Sequence, residues 1–202
     1  GCAAETDYRT LLPGIEAACV AVPTGDHHDV VRACLEAGVH VLVEKPLART
    51  LAEADALLAL ARSRGLVLQV GHLQRFNPAF QALAAQAGRP LFIDIERLAP
   101  FKARGTDVDV VLDLMIHDLD LALALSRAPV EQVSASGFRV LTDAIDIANA
   151  RIEFTDGCIA SVSASRVSQA PVRKLRVFRD DGYVSADLQG QRLRHVRKGG
   201  VG

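Results

Sequence analysis

Apolar and polar residues follow two different patterns along the chain, and the change from one to the other comes near residue 71. Three short apolar runs in the first part predict buried strands, at 17–23, 39–43 and 66–70. Two segments with helical spacing of apolar residues lie between them, at 27–37 and 50–64. Buried strands that alternate with helices predict a parallel, doubly wound α/β sheet.

Residues that begin and end helices support this reading of the first part. Thr50 followed by Glu53 is a capping-box pattern ahead of the second helix. Gly38 and Gly65 stand where the two helices should stop, as glycine does at the C′ position.

The second part of the chain combines two helices with many strands. The elements predicted first are a short helix, a strand and a longer helix, at 78–87, 91–98 and 109–126. From Val130 onward one strand-like segment follows another, and Thr155-Asp156-Gly157 predicts a hairpin. Strands at this density predict an α+β domain with a large, mostly antiparallel open sheet. We therefore divide the chain into residues 1–72 and residues 73–202.

Both ends of the sequence stand in the middle of a pattern. The chain opens on a helix-and-loop stretch with no strand before it and closes on the polar residues 198–202. We therefore expect βα units before residue 1 in the whole protein, and further residues after 202.

Composition and charge argue against several classes of protein. Half of the 202 residues are apolar and the formal net charge is −1, whereas nucleic-acid-binding proteins usually carry a basic excess. The apolar stretches are too short to span a membrane, and no signal-peptide pattern is present. The four cysteines form no C-x-x-C pair, which favours reduced thiols in a cytoplasmic protein, with Cys19 and Cys34 as small core residues.

The segment Glu44-Lys45-Pro46 directly follows the second predicted strand. Ligands bind at the carboxyl ends of strands in open α/β sheets, where a lysine can act as an acid or polarise a substrate oxygen. Glu, Lys and Pro are also common in surface turns, so this segment alone does not decide between a turn and a site.

Polar loops follow the other two strands of the same sheet. Pro23 and Thr24 lie in a turn before a helix N-terminus, which suits a phosphate or ribose hydroxyl, although Asp26 is also typical of an N-cap. Arg75 and Asn77 offer donors to an oxygen-rich ligand, although the same stretch can be a linker in which Asn77 caps the next helix. Three polar loops on one sheet edge favour a shared ligand crevice over unrelated turns.

Three polar residues interrupt the apolar helix predicted over 109–126. Asp113, His117 and Asp120 share one face of a helix, and two carboxylates beside an imidazole are typical of an acid–base site. The alternatives are a solvated polar stripe and a metal site. A single helix offers few metal ligands, and no H-E-x-x-H motif or cysteine cluster supplements them, so we predict no metal.

Three stretches together resemble the Gfo/Idh/MocA family of nicotinamide-dependent sugar oxidoreductases. They are A-C-L-E-A-G-V-H-V-L-V-E-K-P-L-A at 33–48, R-F-N-P at 75–78 and D-x-x-x-H-x-x-D at 113–120. The resemblance implies that 1–72 is the C-terminal part of a Rossmann domain that binds the dinucleotide. It implies that 73–202 is a substrate-binding domain whose open sheet makes a homo-oligomer.

The resemblance also implies roles for individual residues. Lys45 is expected to hydrogen-bond the reacting hydroxyl, His117 to be the general base that takes its proton, and Asp113 to orient and bind the sugar. The residues expected on the cofactor side are Pro23, Thr24, His27, Glu44 and Lys45. Arg75 is expected near the domain junction, in reach of cofactor or substrate.

The sequence departs from the family pattern in its cofactor motif. The G-x-G-x-x-G loop that holds the pyrophosphate is absent, as is the acidic residue that selects between NAD and NADP. We therefore expect the given residues to bind cofactor poorly by themselves, and we favour NAD over NADP.

A narrower resemblance, over 97–120 and 146–158, is to the bacterial branch that contains UDP-N-acetylglucosamine 3-dehydrogenases. It implies oxidation of a UDP-amino sugar at C3. The candidate contacts to the diphosphate are Lys102, Arg104, Arg166 and Arg173, although each is also typical of a solvated surface. The alternatives left open are an inositol or free-aldose dehydrogenase, a non-catalytic sugar-binding protein and, more remotely, a metal hydrolase.

Overall fold

A computed structural model of the chain describes residues 4–102 and 108–199. The chain divides after His72 into two compact units, Gly1–His72 and Leu73–Gly202, here called the N-terminal and the C-terminal unit. None of the helices within the described ranges is long and apolar enough to cross a membrane.

The N-terminal unit is a parallel three-stranded sheet with two helices. Its strands, in the order β1-β2-β3, are β1 (Ala17–Val20), β2 (His40–Val43) and β3 (Leu68–Val70). Its helices are α1 (His27–Glu36) and α2 (Leu51–Ser63). Two turns of 3-10 helix precede β1, at Tyr8–Thr10 and Leu12–Gly14. The predicted capping box is confirmed, because Thr50 and Glu53 each accept from the other's backbone N–H.

Both helices of the N-terminal unit pack on the same face of its sheet. The core contains Val41 and Val43 of β2 with Leu35 of α1 and Leu57 of α2. Leu42, between the two valines, is 39% exposed, and Cys19 of β1 is exposed as well. The prediction that Cys19 lies in the core was therefore wrong, because its side chain alternates to the face that these helices do not cover, whereas Cys34 is buried as predicted.

The C-terminal unit is built on a seven-stranded sheet, as the α+β prediction required. Its helices are α3 (Pro78–Ala84) and α4 (Ile116–Ser126). The strands are β4 (Phe92–Leu98), β5 (Val130–Phe138), β6 (Ile147–Phe154), β7 (Ile159–Ser165), β8 (Val172–Arg179), β9 (Gly182–Asp187) and β10 (Arg192–Arg197). Their order is β10-β9-β8-β4-β7-β6-β5, and β4 runs parallel to β7 while the other neighbours are antiparallel.

One face of the large sheet holds the core of the C-terminal unit. Ile93 and Ile95 of β4 and Val162 of β7 are buried together with Leu83 of α3 and Leu121 of α4. The predicted N-cap is confirmed, because the Asn77 side chain accepts from the backbone N–H groups at 79 and 80 at the start of α3.

The helix predicted over 109–126 begins differently from the prediction. Its first part, Val111–Met115, is a π-helical turn, and the α-helix proper starts only at Ile116. The backbone just before the π turn is held from outside the helix. Val110 N donates to Ile145 O, and Asp109 Oδ1 accepts from Ile145 N at 2.8 Å. A π turn in this place changes the angular position of Asp113 relative to the residues that follow.

The start of β9 provides a test of the strand packing. Gly182 has φ of +147°, and a Cβ there would overlap the backbone oxygen of Val196 on β10. We expect Gly182→Ala to destabilise the C-terminal unit by about 2–4 kcal/mol, because the clash is with backbone and cannot be relieved by a rotamer change. Gly157→Ala is the matched control, with φ of +85° but open space around the new Cβ, and should cost about 1 kcal/mol. Urea unfolding followed by circular dichroism measures the stability of both variants. Equal losses of stability would contradict the close packing of Gly182 against Val196.

Candidate active site

The polar segments of the N-terminal unit lie at one edge of its sheet, because all three strands are parallel and end there. Pro23 precedes a 3-10 turn, Thr24–Asp26, that leads into α1. Glu44 and Lys45 follow β2, and the Lys45–Pro46 peptide bond is cis. Asp26 occupies the N-cap position of α1, as the sequence suggested, but its side chain makes no capping hydrogen bond.

His27 is held between two of these loops. Its ring is 1% exposed, with Nδ1 2.6 Å from Pro46 O and Nε2 2.9 Å from Val22 O. The ring therefore contacts the backbone of the loop after β1 and the loop after β2, a contact between distant segments that the sequence did not predict.

Arg75 lies in the C-terminal unit, in a 3-10 turn before α3, and pairs with Asp120 of α4. Both oxygens of the carboxylate accept from the guanidinium, each at 2.7 Å. The Asp120 side chain is 10% exposed, and its hydrogen bond raises the pKa of Arg75. Asp120 therefore holds Arg75 against α4.

Asp118, which the sequence analysis did not single out, is fully buried. Arg97 of β4 donates to both of its oxygens at 2.7 Å, and the side chains are 5% and 1% exposed. Burial raises the pKa of the Asp118 carboxyl, and the hydrogen bonds and charge of Arg97 oppose that rise. Ile93, Ile95 and Arg97 alternate along β4 and therefore share its buried face. This alternation is the signal in the sequence that could have shown that Arg97 needs a buried carboxylate partner.

Asp113 and His117 lie on consecutive turns, Asp113 in the π turn and His117 at the start of α4, and both are half-buried. Asp113 lines a cavity of about 620 Å³ within the C-terminal unit. The charged residues around this cavity, besides Asp113, are Arg97, Lys102, Arg166 and Arg173. A carboxylate that can accept from hydroxyl groups is thus placed among cations.

The cations around the cavity are only partly neutralised by described carboxylates. Arg166 pairs with Asp146, and Arg97 pairs with Asp118. Arg173 stands opposite Arg97 in the β4–β8 register, and burial together with the charge of Arg97 lowers the pKa of Arg173. The cavity therefore suits a ligand that carries negative charge as well as hydroxyl groups.

Arg104 and Arg166 were both predicted as contacts to the diphosphate. Arg104 lies outside the described residues. Arg166 is 5% exposed and donates to Asp146 Oδ1, Val108 O and Ile145 O, so it is neither a solvated surface residue nor free to turn towards a ligand.

Asp146 and Arg166 form a second buried ion pair, besides that of Arg97 and Asp118. The Asp146 carboxylate accepts from the backbone N–H groups of Val140, Leu141 and Thr142 and from the Thr142 hydroxyl, at 2.7–2.9 Å. Burial alone would raise the pKa of Asp146, but these hydrogen bonds hold it well below its usual value. The pair fixes the loop before β6, which in turn holds the start of the π turn.

Comparison with known proteins identifies the family. Residues 1–72 match the family model described as oxidoreductase family, NAD-binding Rossmann fold, and residues 85–185 match the GFO/IDH/MocA C-terminal domain. The chain belongs to the Gfo/Idh/MocA family. The predicted family, its α/β plus α+β fold class and its NAD-binding character are thereby confirmed.

The names of individual relatives within the family refer to different substrates. The chain is 43% identical over 202 residues to a UDP-N-acetylglucosamine 3-dehydrogenase of Acidithiobacillus ferrooxidans, covering 100% of the chain and 64% of that protein. A solved structure of that enzyme superposes with a TM-score of 0.90 at 42% identity, covering 97% of this chain and 65% of that one.

Inositol dehydrogenases are related as well. The scyllo-inositol 2-dehydrogenase (NAD(+)) of Bacillus subtilis is 32% identical over 181 residues, which are 81% of this chain and 53% of that enzyme. An inositol dehydrogenase homolog from Azotobacter vinelandii, solved with NADH and myo-inositol, has a TM-score of 0.82 at 25% identity, with 95% and 60% of the two chains covered. The chain spans between 53% and 65% of the length of these family members.

The buried Asp146 carboxylate makes stability depend on acid pH. Because its pKa is depressed in the folded state, the unfolded chain binds a proton first as the pH falls below about 4. The stabilisation is therefore complete above that pH and is lost as the pH falls towards the folded-state pKa. We expect Asp146→Asn to be less stable than the wild type near neutrality and to lose less on acidification. Urea midpoints at about pH 6 and pH 3 measure this, with the exposed Asp143→Asn as control, and parallel pH curves for Asp146→Asn and wild type would contradict it.

Proposed function

We propose that the protein containing this chain is an NAD(P)-dependent dehydrogenase that oxidises a sugar hydroxyl, with NAD favoured as cofactor. The N-terminal unit serves the cofactor and the C-terminal unit serves the sugar. When bound, the nicotinamide ring accepts the hydride that leaves the sugar carbon. The observation that carries the proposal is the cavity in which Asp113 of the D-x-x-x-H motif lies among cations, within a chain of this family.

The donor set at the edge of the parallel sheet fits one end of a dinucleotide. Thr24 offers a hydroxyl just before the N-terminus of α1, and Lys45 and Glu44 offer an ammonium and a carboxylate after β2. With Pro23 beside them, these groups suit a ribose and a carboxamide. The sequence contains no G-x-G-x-x-G stretch, so these residues account for the nicotinamide side and not for the pyrophosphate.

The proton chemistry falls to residues of the D-x-x-x-H and E-K-P motifs. Oxidation of an alcohol moves a hydride from carbon and a proton from oxygen, and an imidazole such as His117 takes the proton as general base. Lys45 hydrogen-bonds the same oxygen and stabilises negative charge on it. Asp113 accepts from sugar hydroxyl groups and fixes the orientation of the ring, while Arg75, held by Asp120, contributes a cation near the ligand.

The substrate that fits the cavity best is a nucleotide sugar, and UDP-N-acetylglucosamine oxidised at C3 is the member of that class that the 43% identical relative suggests. Lys102 and Arg173 supply positive charge for a diphosphate, since Asp118 and Asp146 already neutralise Arg97 and Arg166. The second candidate is an inositol, favoured by the similarity to inositol dehydrogenases. An inositol has no charge to meet Lys102 and Arg173.

The catalytic roles can be tested in the full-length protein. We expect Lys45→Ala and His117→Ala each to lower kcat for sugar oxidation by about 10²-fold or more, because each removes a group that moves or stabilises charge during the reaction. NADH formation measures the rate. The exposed Lys198→Ala is the control and should leave kcat unchanged. Wild-type turnover in both site variants would refute the assignment. Sugar binding without NADH formation from any substrate would favour a non-catalytic sugar-binding protein.

The nucleotide-sugar substrate can be tested with charge variants of the cavity. We expect Lys102→Ala and Arg173→Ala each to raise KM for UDP-N-acetylglucosamine by about tenfold or more, because each removes a charged contact to a phosphate. Turnover of free N-acetylglucosamine or of myo-inositol should change little. Lys174→Ala is the matched control, since Lys174 is next to Arg173 on β8 but points to the opposite face beside Glu96. Equal effects on charged and uncharged substrates would contradict a diphosphate contact.

A further inference from the structure

His27 has an unusual set of partners for a buried histidine. Its two ring nitrogens are both within hydrogen-bond distance of backbone carbonyl oxygens, Pro46 O at 2.6 Å and Val22 O at 2.9 Å. A carbonyl oxygen only accepts hydrogen bonds. Each contact is therefore a hydrogen bond donated by the ring where the nitrogen concerned carries a hydrogen, and the ring is held between the two carbonyl groups.

The two carbonyl groups belong to the two loops that carry the proposed cofactor-side residues. Val22 directly precedes Pro23 and Thr24, and Pro46 directly follows Lys45. Within residues 4–72, the hydrogen-bond ladder between β1 and β2 ends with Glu44 N donating to Val20 O. Beyond that bond the His27 ring joins the two loops, so the backbone of Lys45 is fixed on one side by the ladder and on the other by the ring.

We propose that His27 is a positioning residue for Lys45, which it holds because its buried ring lies between the backbone carbonyls of the loops after β1 and β2. The proposal rests on the proposed catalytic role of Lys45. It replaces the expectation that the His27 side chain itself lines the cofactor, because both of its nitrogens are already engaged by backbone.

The hydrogen bonding of the ring can be observed without any enzyme assay. Nitrogen-15 NMR of the full-length protein with labelled histidine should show a ring N–H of His27 that exchanges slowly with water, because the ring is buried between two carbonyl acceptors. The exposed His40 provides an internal contrast, since its ring is open to water. Spectra of His27→Gln and His40→Gln assign the two signals. A His27 ring N–H that exchanges as fast as that of His40 would overturn the proposal.

The positioning of Lys45 needs a second readout. His27→Phe keeps the volume of the ring but donates nothing, so we expect kcat to fall by about tenfold or more while KM for the cofactor changes less. The rate at which the Lys45 amine is acylated, mapped by mass spectrometry, should change in the same variant while that of Lys198 does not. His27→Gln, which keeps one donor, should lie between the wild type and His27→Phe, and His40→Gln should resemble the wild type.

The two readouts separate this proposal from the proposed function. If the full-length protein oxidises no sugar, the dehydrogenase assignment fails, and the acylation rate and the NMR spectrum still decide whether His27 fixes Lys45. Wild-type kcat and wild-type acylation of Lys45 in His27→Phe would overturn the positioning role. Should His27→Phe fail to fold, His27→Gln and the wild-type spectrum carry the same test.

Discussion

The buried ion pair between Arg97 and Asp118 constrains the C-terminal unit more than any single apolar contact. Both side chains are almost wholly buried and joined by two hydrogen bonds of 2.7 Å. If either partner moved away, a buried charge would be left without compensation, at a cost of about 3–5 kcal/mol. Helix α4 is therefore held at one angle and one height against β4, and the D-x-x-x-H motif is held with it.

A second buried pair fixes the other end of the same motif. Asp146 and Arg166 hold the loop before β6, and Ile145 in that loop bonds to Asp109 and Val110 at the start of the π turn. The two pairs also determine the charge of the cavity beside Asp113. Each uses a carboxylate to neutralise an arginine in the cavity wall, and among the described residues Lys102 and Arg173 add further positive charge to that wall.

Local signals in the sequence predicted local structure well. The capping box at Thr50, the N-cap at Asn77 and the strand predicted at 91–98 each depend on residues a few positions apart, and each is present in the structure. The partners of Asp118 and Asp146 lie 21 and 20 residues away along the chain, on β4 and just after β7, and only the fold brings them near. The same limit applies to the π turn, because the backbone at its start is bonded to Ile145 from outside the helix.

The direction of His117 follows from the partners of its neighbours. Successive residues of an α-helix are turned by about 100°, so Asp118 lies about 100° to one side of His117 and Asp120 about 60° to the other. Asp118 is bound to Arg97 on the sheet, and Asp120 is bound to Arg75 in the turn before α3. Two bidentate pairs on either side leave α4 no freedom to rotate about its axis. The role proposed for His117 as a base needs such a fixed direction, and the two bidentate pairs supply it.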